Sequence, residues 1–514
     1  MRTWWICMGV VGLGSLLLAA AGVEDHPRHP PLPPHEAQNY ARQLLGTADV
    51  VAEDFFQLDA HGSPRLVSRA ELIQAGLRGL FDAARSPLPP TLLADIERTP
   101  SELELLSLIT RARESLGNDR ALKGDNALRV SFESMTGILD PFSLVVSGEE
   151  LAQAMPSETT EGVGLELAEK LEGGPLVVQA VIPGGPAQRA DLRPGDQITS
   201  INGQPAEDLT SAQGQLLFSN GQPLVQPDGG LQRVDVTWIR PGTRVPHKAI
   251  LTHEEFQPET VFGVRRKNDQ SWDYWVDREN KIAQVRLGKL GKGTAETLAG
   301  VLTNLRAEGM RGLILDLRWS PGGFLVESAQ TARLFLGKHT IATLKGVKEQ
   351  QMLSDVAPEK FLDFPILVLV NGETSGGAEL IAAALQDNHR AVVAGQRTVG
   401  KASVQNLISL PVNNTGMKVT SGAFFRPNGK NMQRFPDSQP DEDWGVRPDP
   451  KMELRVSPEL SKQLGQWWLW QTLRPADSNE ALPLDDPEAD PQRQTGLQIL
   501  LHLIQESRDQ RAAR

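Results

Sequence analysis

The sequence predicts a multidomain α/β protein: a helical N-terminal domain, a β-rich domain, an α/β core and a helical C-terminal extension. Three observations lead there. The chain has 514 residues, well beyond what one hydrophobic core serves. Its texture changes near Gly162 from helical periodicity to short strand-like runs, and again near Phe256 to strands alternating with helices. A hydrophobic fraction of 39%, with 10 Trp and 15 Phe, supplies apolar material for several cores and excludes wholesale disorder. The expected divisions are a leader at 1–22, a linker at 23–35, and domains at 36–157, 158–255 and 256–455, followed by a helical extension at 456–514.

The chain opens with Met1-Arg2-Thr3, an apolar run from Trp4 to Ala21, and the small residues Ala19-Ala20-Ala21-Gly22, followed by a charged, Pro-rich stretch to Pro34. That order is the one a secretory signal peptide needs. A run of this length also lies near the lower limit for spanning a bilayer, so an uncleaved anchor is the other reading. The small residues at its end argue for cleavage, and hence for an exported, periplasmic or extracytoplasmic protein. No later segment is apolar enough to span a membrane. The single cysteine, Cys7, lies inside the leader, so a mature chain would hold neither a disulfide nor a thiol nucleophile. A net charge of -12, from 64 acidic against 52 basic residues, disfavours nucleic acid, whose phosphates require a clustered cationic surface.

From His35 to Pro156 the periodicity is helical. Between Ala70 and Phe81, the residues Ile73, Leu77, Leu80 and Phe81 follow the spacing of one helix face. Beyond Gly162 come the strand-like runs Val163 to Leu167, Leu176 to Ile182, and Gln197 to Ile201, the last closing on Asn202-Gly203, a tight-hairpin signal. In the core, strands at Leu313 to Leu317, Ile366 to Val370 and Ala391 to Ala394 alternate with helices at Ala295 to Arg306, Val326 to Leu336 and Ala378 to Gln386. Helical stretches at Ser457 to Leu473 and Leu497 to Ile504 flank an acidic linker from Leu482 to Pro491.

In Glu161-Gly162-Val163-Gly164-Leu165-Glu166-Leu167, two glycines surround a strand start. Bare backbone N–H groups can converge there on a carboxylate. Together with the string from Val181-Ile182-Pro183-Gly184-Gly185 through Arg193-Pro194-Gly195-Asp196 to Asn202-Gly203, this block closely resembles a PDZ domain. The resemblance implies capture of a peptide by strand addition, with its free C-terminus on Gly162, Val163, Gly164 and Leu165. The stretch Asn220 to Gln232 lengthens the usual link after the groove helix.

Three elements carry candidate chemistry in the core. The strand Gly312 to Leu317 runs into Arg318-Trp319-Ser320-Pro321-Gly322-Gly323, a turn whose N–H groups could hold an oxyanion or simply end the strand. The strand Ile366 to Val370 leads into Asn371-Gly372-Glu373-Thr374-Ser375-Gly376-Gly377-Ala378-Glu379. A hydroxyl there would face the positive end of a helix, as a nucleophile or as a helix cap. The block Arg397-Thr398-Val399-Gly400-Lys401-Ala402-Ser403-Val404-Gln405 holds a lysine that could act as a base if its pocket is apolar. The nine histidines show no zinc-type spacing, and His253-Glu254-Glu255 lacks a second histidine. Neither a metal nor an organic cofactor is expected.

Taken with Ala382 to Asp387, Met417 to Gly429, Trp444 to Asp449 and Ile138 to Ser143, these elements resemble the C-terminal-processing (tail-specific) serine peptidases. The resemblance implies a Ser/Lys peptidase core acting on protein or peptide substrates with free C-termini. It casts Lys401 as the base and Gln405 as its orienter. The family's nucleophile lies three positions before the elbow glutamate, here Glu379, and that position is Gly376. A one-residue displacement turns a side chain by about 100° on a helix, although Gly376-Gly377 could re-shape the elbow. Two readings follow. Either Ser375 is a displaced nucleophile served by Lys401, with Gly322 or Gly323 and Gly376 as the oxyanion hole, or the chain is an inactive peptidase scaffold that acts as a peptide-binding adaptor.

Overall fold

The computed structural model describes residues 30–512 except 60–62, 100, 149–150, 152–158, 169, 171–173, 219–231, 268–270, 348–349, 355–360, 413–414 and 474–488. The apolar leader, the stretch from Asn220 up to Gln232, and most of the acidic linker at Leu482 to Pro491 lie outside the described residues. The chain groups into two compact units, one of residues up to Gly46 with Ile73–Ser134, the other of Thr47–Leu72 with Met135–Arg514.

The first unit draws on α1 (Pro34–Asp54), α2 (Arg69–Ala83), α3 (Glu102–Ser115) and α4 (Asn126–Gly137), of which α1, α2 and α4 extend past its bounds. The expected helical stripe is present in α2, where Ile73, Leu77, Leu80 and Phe81 are all buried. Ser68 and Glu71 cap the start of α2 reciprocally, the Glu71 N–H donating to the Ser68 hydroxyl and the Ser68 N–H to the Glu71 carboxylate. A buried hydrogen bond of 2.7 Å joins the hydroxyls of Tyr40 on α1 and Ser131 on α4.

In the second unit, the β-rich part holds β1 (Leu165–Leu167), β2 (Leu176–Val181), β3 (Gln197–Ile201), α5 (Ser211–Phe218), β4 (Arg233–Ile239) and β5 (Pro246–Thr252). Its sheet runs β5-β4-β3-β2-β1, antiparallel throughout, which leaves β1 at the edge. The hairpin signal is realised. Asn202 and Gly203 take φ of 52° and 79°, the left-handed pair a tight two-residue turn demands.

The α/β core follows as β6 (Ile282–Leu287), α6 (Thr294–Ala307), β7 (Gly312–Asp316), α7 (Leu325–Leu336), β8 (Ile366–Val370), α8 (Gly377–Asp387) and β9 (Val392–Gly395). These four strands lie side by side and parallel in the order β6-β7-β8-β9. Every residue of β7 and β8 is buried, as expected for a parallel sheet covered on both faces. Strand alternation sends Leu313, Leu315, Ile366 and Val368 toward α6, α7 and α8.

The opposite face, with Ile314, Leu367 and Leu369, packs against Leu500 and Ile504. An antiparallel sheet adjoins the core, with β10 (Ser403–Ser409) and β11 (Thr415–Phe425) beside Thr340–Gly346 and Gln350–Ser354, and Leu144–Ser147 pairing β11. The chain ends in α9 (Pro458–Leu473) and α10 (Pro491–Ala512). Leu500 and Ile504 belong to α10, so this helix is the missing layer of the core.

A buried ionic network fixes α10 to the end of β7. The Arg318 guanidinium donates to both Asp316 oxygens, at 2.9 and 2.8 Å, and to both Asp490 oxygens, each at 2.9 Å. Neither the Arg318 nor the Asp490 side chain is exposed. Removing Asp490 leaves Arg318 paired with Asp316 but takes away the buried acceptor of two guanidinium N–H groups and of the Arg493 N–H. Asp490→Ala is therefore expected to cost about 1–3 kcal/mol of folding stability, read as a lowered denaturant midpoint. An unchanged midpoint would refute that role.

Candidate active site

The strand-to-helix elbow after β8 is held by side-chain caps on its own backbone. The Thr374 hydroxyl accepts from the Asn371 N–H at 3.0 Å and donates to the Leu317 carbonyl at 2.9 Å, fully buried. The Asn371 side-chain oxygen accepts the N–H groups of Trp319 and Glu373, at 3.0 and 3.1 Å. The Ser375 N–H donates to the Ser320 carbonyl, and the Val399 N–H to the Thr374 carbonyl, each at 3.0 Å. The Pro-Gly-Gly turn, the elbow and the Gly-Lys block are thus stitched into one site.

Neither Thr374 nor Ser375 caps α8. The N-cap is Gly376, at φ 55° and ψ -118°, a conformation that side-chain-bearing residues adopt only under strain. Its N–H donates to the Glu379 carboxylate at 3.0 Å. That bond corrects one expectation, because an N–H held by a buried carboxylate is not free for an oxyanion. The unengaged donors are the N–H groups of Gly322, Gly323 and Gly377, which bond nothing among the described residues.

Gly322 (φ 76°) lies so close to the elbow that a Cβ there would come 2.5 Å from the Gly377 nitrogen and 2.6 Å from the Ser375 carbonyl oxygen. Only glycine fits. That approach brings the Pro-Gly-Gly turn against the Gly377 nitrogen, at the start of α8. At Gly376 the space is open, a Cβ there meeting only the Pro321 carbonyl oxygen at 3.7 Å.

Sequence reading used Glu379 only as a landmark, yet it organises the site. Fully buried, it accepts the N–H groups of Gly376, Gly400 and Lys401, the last two at 2.7 and 2.8 Å, and the Thr398 hydroxyl. Burial pushes its carboxyl up to about 7, against the pull of those four donors. One carboxylate therefore fixes the elbow and the lysine loop together. Glu379 itself was visible in the sequence after the elbow, but its partners at 398–401 could not be named from spacing.

The Lys401 ammonium makes no hydrogen bond or ion pair among the described residues. It lies 4.9 Å from the centre of the Phe142 ring. Burial lowers its affinity for a proton and Lys418 lowers it further, while Asp140 and Glu379 act the other way. Asp140 and Phe142 come from the Ile138 to Ser143 segment, held in place by Leu144–Ser147 pairing on β11 and by the Thr420 N–H donating to the Ser143 hydroxyl at 3.1 Å.

No hydrogen bond joins Gln405 to that ammonium among the described residues. Its amide donates to the Ser403 hydroxyl at 2.9 Å, because strand β10 places it opposite Thr420. The expected orienting hydrogen bond is absent among the described residues. Ser375 is half-buried beside the elbow, and its hydroxyl has no partner among the described residues. Gly162, Val163, Gly164 and Leu165 lead into β1, with Gly162 and Gly164 at φ 117° and 73°. Among the described residues no group of three or more His, Cys, Asp or Glu side chains could hold a metal ion, and no helix is long and apolar enough to cross a membrane.

Residues 281–451 match the family model of Peptidase family S41, and residues 152–222 match the PDZ domain. A carboxy-terminal-processing protease of Bartonella bacilliformis is 32% identical over 165 residues, covering 30% of this chain and 37% of that protein. A carboxyl-terminal-processing protease of Synechocystis sp. is 29% identical over 221 residues, covering 43% of this chain and 48% of that protein. The chain thus spans less than half the length of these two relatives. A solved structure titled photosystem II D1 C-terminal processing protease aligns at 23% identity with a TM-score of 0.39, over 76% of this chain and 94% of that one.

Proposed function

We propose, from the premise that residues 281–451 belong to peptidase family S41 and residues 152–222 to the PDZ domain family, that this chain is a serine-type endopeptidase. It takes polypeptides by their free C-termini and cleaves them by a Ser/Lys mechanism. The observation that carries the reading is Lys401: a partly desolvated amine with no hydrogen-bond or ion-pair partner among the described residues, tied through Glu379 to the same elbow that presents Ser375. In the proposed reaction the Ser375 hydroxyl attacks the scissile carbonyl while Lys401 takes its proton. The N–H groups of Gly377 and of Gly322 or Gly323 receive the developing oxyanion. The protonated Lys401 then hands its proton to the leaving amine, and water hydrolyses the acyl-enzyme with Lys401 again as base.

Capture falls to the β-rich domain, at the glycine-flanked start of β1. The apolar run from Trp4 to Ala21 supports export, with work on the extracytoplasmic side, and the domain bounds of the sequence reading remain part of this proposal. Purified protein is expected to hydrolyse an unstructured polypeptide with a free apolar C-terminus, and Ser375→Ala to lose that turnover. Undiminished turnover in Ser375→Ala would sink Ser375 as the nucleophile.

One observation favours a second reading. The position at which the family pattern carries its nucleophile, Gly376, keeps unusual backbone angles at the helix start but has no hydroxyl. A parent protein that binds peptide without cleaving it would make the chain a peptide-capturing adaptor.

A further inference from the structure

At the edge of the β-rich sheet, the Ile182 N–H donates to the Gly164 carbonyl at 3.0 Å. That bond makes Leu165 and Val181 opposite residues that exchange no hydrogen bonds, which turns the N–H and C=O of Leu165 toward the open side of β1. An added strand would pair with these groups and with the Leu167 N–H. In this chain two of the three are already taken. The Gln215 amide of α5 donates to the Leu165 carbonyl at 3.1 Å, and its oxygen accepts the Leu167 N–H at 2.9 Å. A carboxamide carries the same donor and acceptor as a peptide unit, so Gln215 makes the two bonds that one residue of an added strand would make.

The surrounding residues hold α5 against the strand. A Cβ on Gly214 would fall 2.9 Å from Leu167 and 3.0 Å from Leu176 side-chain carbons, so glycine permits the close approach. At one end of α5 the Ser211 hydroxyl accepts the Lys170 N–H at 2.6 Å. At the other, the Phe218 carbonyl accepts the Val163 N–H at 3.4 Å. The N–H groups of Gly164 and Leu165 bond nothing among the described residues.

We propose that Gln215 is a built-in occupant of the peptide groove, and that a polypeptide C-terminus enters by displacing it. The incoming carboxylate lands on the open N–H groups of Gly164 and Leu165, and the peptide backbone takes over the Leu165 carbonyl and the Leu167 N–H. This rests on the peptide-capture reading above. It adds that affinity and entry are set by a side chain of the groove helix.

The test uses the full chain, a fluorescent peptide with a free apolar C-terminus, and amide hydrogen exchange at Leu167. Gln215→Ala is expected to bind the peptide roughly tenfold tighter than the parent, since two hydrogen bonds no longer have to be broken. Gln215→Glu keeps the acceptor, loses the donor and gives a smaller gain, which guards against a poorly folded alanine variant. Without peptide, exchange at Leu167 is faster in Gln215→Ala than in the parent, and added peptide slows it again. Equal affinities in parent and variants overturn the proposal, as does equal exchange. Faster exchange in the variant with no peptide bound by any of the proteins would bear out the occupancy and instead remove the peptide-capture reading.

Discussion

Replacing Lys401 by alanine is expected to lower hydrolysis of an unstructured polypeptide roughly a thousandfold, with peptide capture by the β-rich domain unchanged. The amine can serve as a base only when unprotonated. Burial, followed by repulsion from Lys418, holds it below the ordinary lysine value of 10.5. Turnover should therefore rise with pH and level off below that value. The sign of each neighbour can be checked separately. Lys418→Met removes a repelling cation, raises the proton affinity of Lys401 and moves the rising limb to higher pH. Asp140→Asn removes an attracting anion and moves it to lower pH. Rate–pH profiles that neither substitution shifts, or full turnover in Lys401→Ala, would remove Lys401 from the chemistry.

A serine at position 376 is expected to raise turnover about a hundredfold or more over the parent, the scale of a well-placed catalytic group. The backbone there is already at φ 55° and ψ -118°, so the substitution tests a hydroxyl in the register the family pattern requires. The site has room, since the nearest atom to a Cβ is the Pro321 carbonyl oxygen at 3.7 Å. A non-glycine residue in those angles costs about 1–3 kcal/mol, a strain that the Thr374, Asn371 and Glu379 bonds around the elbow can hold. Gly376→Ser made together with Ser375→Ala separates the two hydroxyls: retained gain assigns the new activity to position 376. Adding Lys401→Ala should abolish it. No gain in Gly376→Ser would show that the elbow no longer presents a hydroxyl to the lysine.

The elements that sequence reading located are those whose causes are local. The α2 stripe of Ile73, Leu77, Leu80 and Phe81 repeats within one helix. The Asn202-Gly203 turn needs two left-handed residues in a row. The strands Gly312–Asp316 and Ile366–Val370 are apolar runs of buried-strand length. The elbow and the Pro-Gly-Gly turn were visible because close backbone approach demands glycine, as the 2.5 Å clearance at Gly322 makes concrete. The hydrogen bond expected between Gln405 and Lys401 is absent among the described residues for a non-local reason. Its offset from Lys401 was readable, but β10 carries it toward Ser403 and Thr420, and strand pairing with β11 decides that direction.

By itself, then, the sequence determined the succession of helical, β-rich and α/β parts and the three loops that bear the candidate chemistry. Periodicity and glycine requirements act over a few residues and are written there directly. Only the tertiary structure decided that α10 closes the second face of the core sheet through Leu500 and Ile504, and that Asp490 neutralises Arg318 172 positions away. It also decided that Glu379 joins the elbow to the lysine loop and that Gln215 fills the edge of β1. Each of these depends on a side chain meeting a partner brought near by packing, and no local spacing encodes that meeting.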